Sequence, residues 1–127
     1  MNKDSGVFVL TACKVLDIKH PVHIALKTKP ARRTKNFAGY CETRERKKKI
    51  IGHYIYLNLE TCLTAEFPVI DVIAHELVHA CMIENGVFDP KHHHNKRFQN
   101  ICQVLEKHMN AMSFKLGKLY HKDTDTD

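Results

Sequence analysis

Val69-Ile70-Asp71-Val72-Ile73-Ala74-His75-Glu76-Leu77-Val78-His79-Ala80-Cys81-Met82 is the stretch around which the rest of the chain has to be arranged. It follows Pro68, which suits a first helical position, and runs towards Gly86, a good helix stop. The pattern predicts one helix over residues 68–85. Val69, Val72, Ile73, Leu77, Ala80 and Met82 spread over much of its surface, so the helix is expected to be buried. Two imidazoles and a carboxylate are set into that apolar surface. His75 and His79 are one helical turn apart on one face, where they can share a single ion. Burying such groups without a reason would be expensive. Neutral imidazole nitrogen suits Zn²⁺. Glu76, beside the ligands without being one, is placed to take a proton from a zinc-activated water and pass it to a leaving amine. Chance would place H-E-x-x-H in a chain with this many His and Glu only about 4% of the time, and the helical, apolar setting sharpens the signal.

A catalytic zinc needs a third protein ligand. The metzincin pattern would require Gly at position 82 and His at position 85, where this chain has Met82 and Asn85. The run His92-His93-His94 is the other source. A final helix is expected over residues 95–116, with Phe98, Ile101, Leu105 and Met112 on its inner face. His94 falls in phase with Phe98, Ile101 and Leu105, so His94 is the expected ligand, and His92 and His93 are expected in solvent. Glu106, the only acid in that helix, falls off the inner stripe. One zinc per chain, held by His75, His79 and His94 with Glu76 as catalytic residue, is the resulting expectation. Tyr40, Tyr54 and Tyr56 are candidates for steadying an oxyanion, and the sequence does not choose among them.

Upstream, the period changes. Val22, Ile24 and Leu26 alternate with His23, Ala25 and Lys27 as a short strand, and residues 38–43 suit a second. Residues 50–59 form the strongest strand, with Ile55, Leu57 and Leu59 on one face and Tyr54, Tyr56 and Asn58 on the other. Leu10-Thr11-Ala12-Cys13 has the look of a lipoprotein cleavage box, but the apolar run before it is short and Asp4 sits where positive charge belongs. The reading preferred is a first helix capped by Asp4 or Ser5, with Phe8, Ala12, Val15 and Leu16 inward. Strands and helices together give an α+β chain. At 127 residues one domain is expected, over residues 1–120, with a disordered polar tail over 121–127.

The formal charge of +6 is unevenly placed: residues 27–49 hold ten Lys or Arg against Glu42 and Glu45. Arg32, Arg33 and Lys35 fall in one expected loop; Arg44, Arg46, Lys47, Lys48 and Lys49 fall in the next connection. Such a region suits a nucleic-acid backbone, or is simply solvated. Cys13, Cys41, Cys62, Cys81 and Cys102 are odd in number and widely spaced, which suits reduced thiols in the cytoplasm, or the nucleus of a eukaryote, rather than a disulfide framework. No stretch approaches a membrane span of about 20 apolar residues, so no membrane partner is expected.

These features together resemble the SprT-like family of metallopeptidases, which includes the Spartan proteases. The matching motifs are His75-Glu76-Leu77-Val78-His79-Ala80, then His94-Asn95-Lys96-Arg97-Phe98, with an upstream strand Ile55-Tyr56-Leu57-Asn58 and Ala38-Gly39-Tyr40-Cys41 before it. Asn95 stands where the family often has Gly. The resemblance implies a compact zincin fold with a small antiparallel sheet beside the zinc helix and a long helix after it. It carries His75, His79 and His94 over as zinc ligands and Glu76 as the catalytic acid and base. It further implies a zinc-dependent endopeptidase acting on proteins bound or crosslinked to DNA, with protein substrate and nucleic acid as partners. The competing expectations are a zincin-fold DNA-binding or regulatory module without peptidase activity, and a general peptidase with no nucleic-acid role.

Overall fold

The computed structural model describes residues 3–28, 37–117 and 119. Arg32, Arg33 and Lys35, and the tail expected over 121–127, lie outside the described residues. The elements are α1 (Lys3–Val15), β1 (Val22–Lys27), β2 (Gly39–Arg46), β3 (Lys49–Asn58), α2 (Leu59–Thr64), α3 (Val69–Glu84) and α4 (Lys96–Ala111). This is an α+β architecture. No described helix is long and apolar enough to cross a membrane.

The sheet has three strands in the order β1-β3-β2. β2 and β3 are antiparallel, but β1 runs parallel to β3, so the expected all-antiparallel sheet is corrected to a mixed one. Alternation reveals strands but carries no pairing order. The β2–β3 connection is a tight hairpin at Lys47 and Lys48, both in the left-handed region (φ 53° and 65°), which makes those strands neighbours, and β3 pairs on its other edge with β1. Arg44 and Arg46 therefore lie on β2 and Lys49 on β3, and the charged connection expected over 44–49 shrinks to two residues. β1 leaves the sheet where Lys27 faces Asn58, and β2 enters where Gly39 faces Leu57, which is the end opposite the hairpin.

β3 turns one face inward, with His53, Ile55 and Leu57 all fully buried, and α3 packs against that face. The approach is close at Gly39: a Cβ there would stand 2.7 Å from Val72 Cγ1 and 3.1 Å from the Tyr56 carbonyl oxygen. α1 and α4 cover the other side of α3 through Phe8, Ala12, Phe98, Leu105 and Met109. α3 is thus the central helix, which is why it is apolar nearly all round.

Three boundaries differ from expectation. α1 spans Lys3–Val15, so Asp4 and Ser5 lie within the helix and not before it. α2 is too short to display a period, and only Cys62 within it is buried. α4 ends at Ala111, with Met112 half-exposed and Ser113 left-handed (φ 70°). Beyond α4 the chain doubles back. The Asn110 side chain accepts from the Leu116 N–H (2.7 Å), and Leu116 and Leu119 are buried.

Candidate metal centre

α3 carries His75, Glu76 and His79 in its middle, where burial is deepest: Glu76 and His79 are 1% and 3% exposed. His94 comes from the loop that leads into α4. Its Nε2 stands 3.1 Å from His75 Nε2 and 3.3 Å from His79 Nε2. Nitrogens bound at about 2.0–2.1 Å to one tetrahedral ion would be about 3.3–3.4 Å apart, so this spacing fits a shared cation. The tautomer of His75 fits as well. Its Nδ1–H donates to the Leu119 carbonyl (2.8 Å), which leaves the lone pair of neutral His75 on Nε2, facing the other two rings.

The cluster rests on Phe98, which is fully buried. Its ring centroid lies 4.9, 4.5 and 4.7 Å from those of His75, His79 and His94. Placement of His94 has a different cause from helical phase. His94 precedes the helix, and Asn95 is the N-cap, its side-chain oxygen accepting from the Phe98 N–H (3.0 Å). That cap fixes the start of α4, and hence the relation between His94 and Phe98. Asn95 supplies it where the family often has Gly.

His92 is exposed, and its N–H bonds to the Asp89 carbonyl. His93 is half-buried against Phe88 (5.2 Å between centroids), 6.5 Å from the His94 ring. Glu106 has a role that the sequence pattern hides: it accepts from the Leu119 N–H, and so holds the segment that orients His75.

The three tyrosines do not face this centre. Tyr40, Tyr54 and Tyr56 alternate onto the outer face of the sheet, away from α3. There Tyr40 stacks on Tyr56 (4.9 Å) and His23 on Tyr54 (4.7 Å). Lys27 donates to the Tyr40 hydroxyl (2.6 Å), and the Arg44 guanidinium lies 3.8 Å above the Tyr54 ring. Arg46, Lys47, Lys48 and Lys49 are exposed at the hairpin end.

A second cluster has little signature in the sequence. His20, before β1, His53, on the inner face of β3, and Glu84, at the end of α3, converge. The signal was present at His53, a polar residue in phase with Ile55 and Leu57. None of the five cysteines is in a disulfide.

The model of the SprT-like family matches residues 14–118. This chain belongs to the SprT-like family. The match spans α3, which carries His75 and His79, and the loop before α4 that carries His94, and membership is consistent with a metallopeptidase-type enzyme. No curated relative and no solved structure matches the chain.

Proposed function

We propose that this SprT-like chain is a zinc-dependent endopeptidase, with zinc held by His75, His79 and His94. The observation that carries the reading is the convergence of three Nε2 atoms beside Glu76, a buried glutamate on the helix of His75 and His79. Bound there, zinc would polarise the scissile carbonyl and lower the pKa of a water. The chain's own part is to hold and move protons. Glu76, one residue after His75, takes the water proton on its carboxylate and returns it to the departing amine. Phe98 and the surrounding core exclude bulk water, and the Leu119 carbonyl keeps a proton on His75 Nδ1 and off Nε2.

Zinc analysis of single variants tests the ligand set. His94→Ala should lose the metal of this centre, while His92→Ala and His93→Ala should keep it. Near-full zinc in His94→Ala at this centre would overturn the assignment.

For substrate class we propose proteins bound to nucleic acid. Support comes from the outer face of the sheet, where half-exposed tyrosines alternate with Lys27 and Arg44, and from the cationic hairpin beyond it. Aromatic rings among cations suit single strands, whose bases stack while phosphates meet the cations. Among the cations read from sequence, Arg44 is occupied by Glu42 (2.8 Å) and Tyr54, so Arg46, Lys47, Lys48 and Lys49 are the better phosphate contacts. Replacing Lys47, Lys48 and Lys49 with Gln should weaken single-stranded DNA binding across all sequences alike, and leave zinc content unchanged. Absence of binding by the unaltered protein at low salt would leave a general peptidase.

A further inference from the structure

The second cluster joins three elements that are far apart in sequence. His20 Nδ1 lies 2.6 Å and His53 Nε2 3.0 Å from the same oxygen, Glu84 Oε1. His53 is fully buried and the Glu84 side chain nearly so; His20 is the exposed member, at 36%. The carboxylate is aligned by main chain, since the Lys19 N–H donates to Oε2 (3.0 Å) and the His20 N–H to Oε1 (2.9 Å). On the far side of His53, Nδ1 stands 2.8 Å from Thr43 Oγ1.

We propose that His20, His53 and Glu84 form a second metal site, for a divalent first-row transition ion, distinct from the centre on His75, His79 and His94. Two imidazoles and one carboxylate are a donor set that such ions take. Donors at right angles about 2.0–2.1 Å from one ion stand about 2.9 Å apart, which is the His53–Glu84 spacing to within a tenth. The His20 contact has to open by about 0.3 Å, and His20 sits on a loop with room to do so. It borders a surface hollow between α1 and β1, lined in part by Leu10, Cys13, Ile18 and Val22, which gives an ion a way in.

Thr43 lets the site exchange protons for metal. When its hydroxyl donates to His53 Nδ1, the proton of neutral His53 sits on Nε2 and bonds Glu84. When its oxygen accepts from Nδ1–H, the Nε2 lone pair faces the carboxylate, an arrangement that needs a cation between them. Burial disfavours the thiolate form of the neighbouring thiols. Burial, and then the charge of Glu84, push Cys13 up to about 11, and burial likewise raises Cys81. Glu84 lies five residues after His79, about 140° further round α3 at 3.6 residues per turn. An ion here would tie the α1–β1 loop and β3 to the end of the helix that carries the first centre, on its opposite side.

The experiment is zinc loading of the full chain. Protein stripped with a chelator is dialysed against Zn²⁺, and the bound metal is counted by mass spectrometry with folding checked by circular dichroism. Wild type should hold two equivalents, and His79→Ala and His20→Ala one each. The double variant should hold none, and Co²⁺ in His79→Ala should give the weak visible spectrum of a six-coordinate ion. Folded His79→Ala that binds no zinc or cobalt overturns the second site, whatever becomes of the first. Metal in His79→Ala that His20→Ala removes sustains it, even if the peptidase reading fails.

Discussion

The two histidine clusters on α3 are built from similar parts and differ in one: the first is all imidazole, the second is centred on a carboxylate. Three ring nitrogens facing one another have no internal negative charge. Protons can link some of them pairwise, but a shared cation satisfies all three together. Around Glu84 the same two imidazoles are satisfied by protons, because the oxygen accepts from both rings and from main chain. A cluster of the first kind is therefore suited to a metal, and one of the second kind accommodates either metal or protons. Burial of donors alone does not make that distinction; the charge at the centre does.

The largest effect that would sharpen this contrast is chemical. Glu76→Gln should lower peptide hydrolysis by about 10²–10⁴-fold, as removal of a general acid–base typically does. Zinc content and melting temperature should stay close to wild type, since Gln keeps the size of the buried side chain. Wild-type turnover would remove Glu76 as the proton carrier. Loss of zinc instead would make it a ligand, and the first cluster would then contain a carboxylate like the second.

Next in size is the acid response of the second cluster in metal-free protein. Burial acts to raise the Glu84 carboxyl. Donation from the Lys19 N–H, the His20 and His53 rings and the His20 N–H outweighs it and holds the group at about 2. The folded value lies below the unfolded one of about 4.3, so folding gains stability above that pH and loses it as pH falls through about 4 towards 2. The gain is roughly 3 kcal/mol at neutral pH by that linkage. Glu84→Gln should be less stable at pH 7 and should lack this part of the acid slope. Urea denaturation over a pH series measures it, and equal slopes in the two proteins would mean that the contacts to Glu84 do not favour its charged form.

How much of this was legible in the sequence depends on the kind of information each feature uses. His75, Glu76 and His79 could be brought together because helical spacing is local. His94 was reached by a phase argument, yet the structure positions it through the Asn95 cap and the Phe98 floor, which act on side-chain direction before the helix begins. The parallel pairing of β1 with β3 is illegible because alternation carries no pairing order, and the tightness of the two-lysine hairpin is hidden because it lacks the Asn-Gly or Asp-Gly signal. His20 and Glu84 meet across 64 positions, and no period connects them. Only His53, polar on an apolar strand face, gave a hint. Glu106 lies off the inner stripe, and that is where it has to be to hold Leu119.

A smaller effect separates the two ends of α3. Gly39→Ala would drive a methyl group against Val72 Cγ1, and a β-branched side chain beside strand backbone has little room to yield. Overpacking of this kind costs about 1–3 kcal/mol. Val72 lies three residues, nearly one turn, before His75, so the displacement should reach the first cluster and weaken zinc binding there. Glu84, at the far end of the helix, should keep its acid response. If Gly39→Ala alters the acid slope as well, α3 shifts as a rigid rod, and the clusters are mechanically coupled.

The smallest effect comes from the hairpin, which touches neither cluster and serves as the control. Lys47 and Lys48 both have positive φ, a conformation that costs L residues with a Cβ about 1–2 kcal/mol each. Asn followed by Gly is the favoured pair for such a turn. Lys47→Asn with Lys48→Gly should therefore stabilise the fold, by about 1 kcal/mol once the greater unfolded-chain freedom of Gly is set against the relief of strain. Zinc content should not move at either site. Nucleic-acid binding should fall, because two exposed cations are lost, and the log–log dependence of affinity on salt should flatten by about 0.7 for each phosphate contact removed on a single strand. The variant thus sets stability and binding moving in opposite directions, so weaker binding cannot be ascribed to a damaged fold. Unchanged affinity and slope would show that Lys47 and Lys48 are merely solvated. The nucleic-acid reading would then rest on the outer sheet face, with Tyr40, Tyr54, Tyr56 and Lys27 as the next residues to replace.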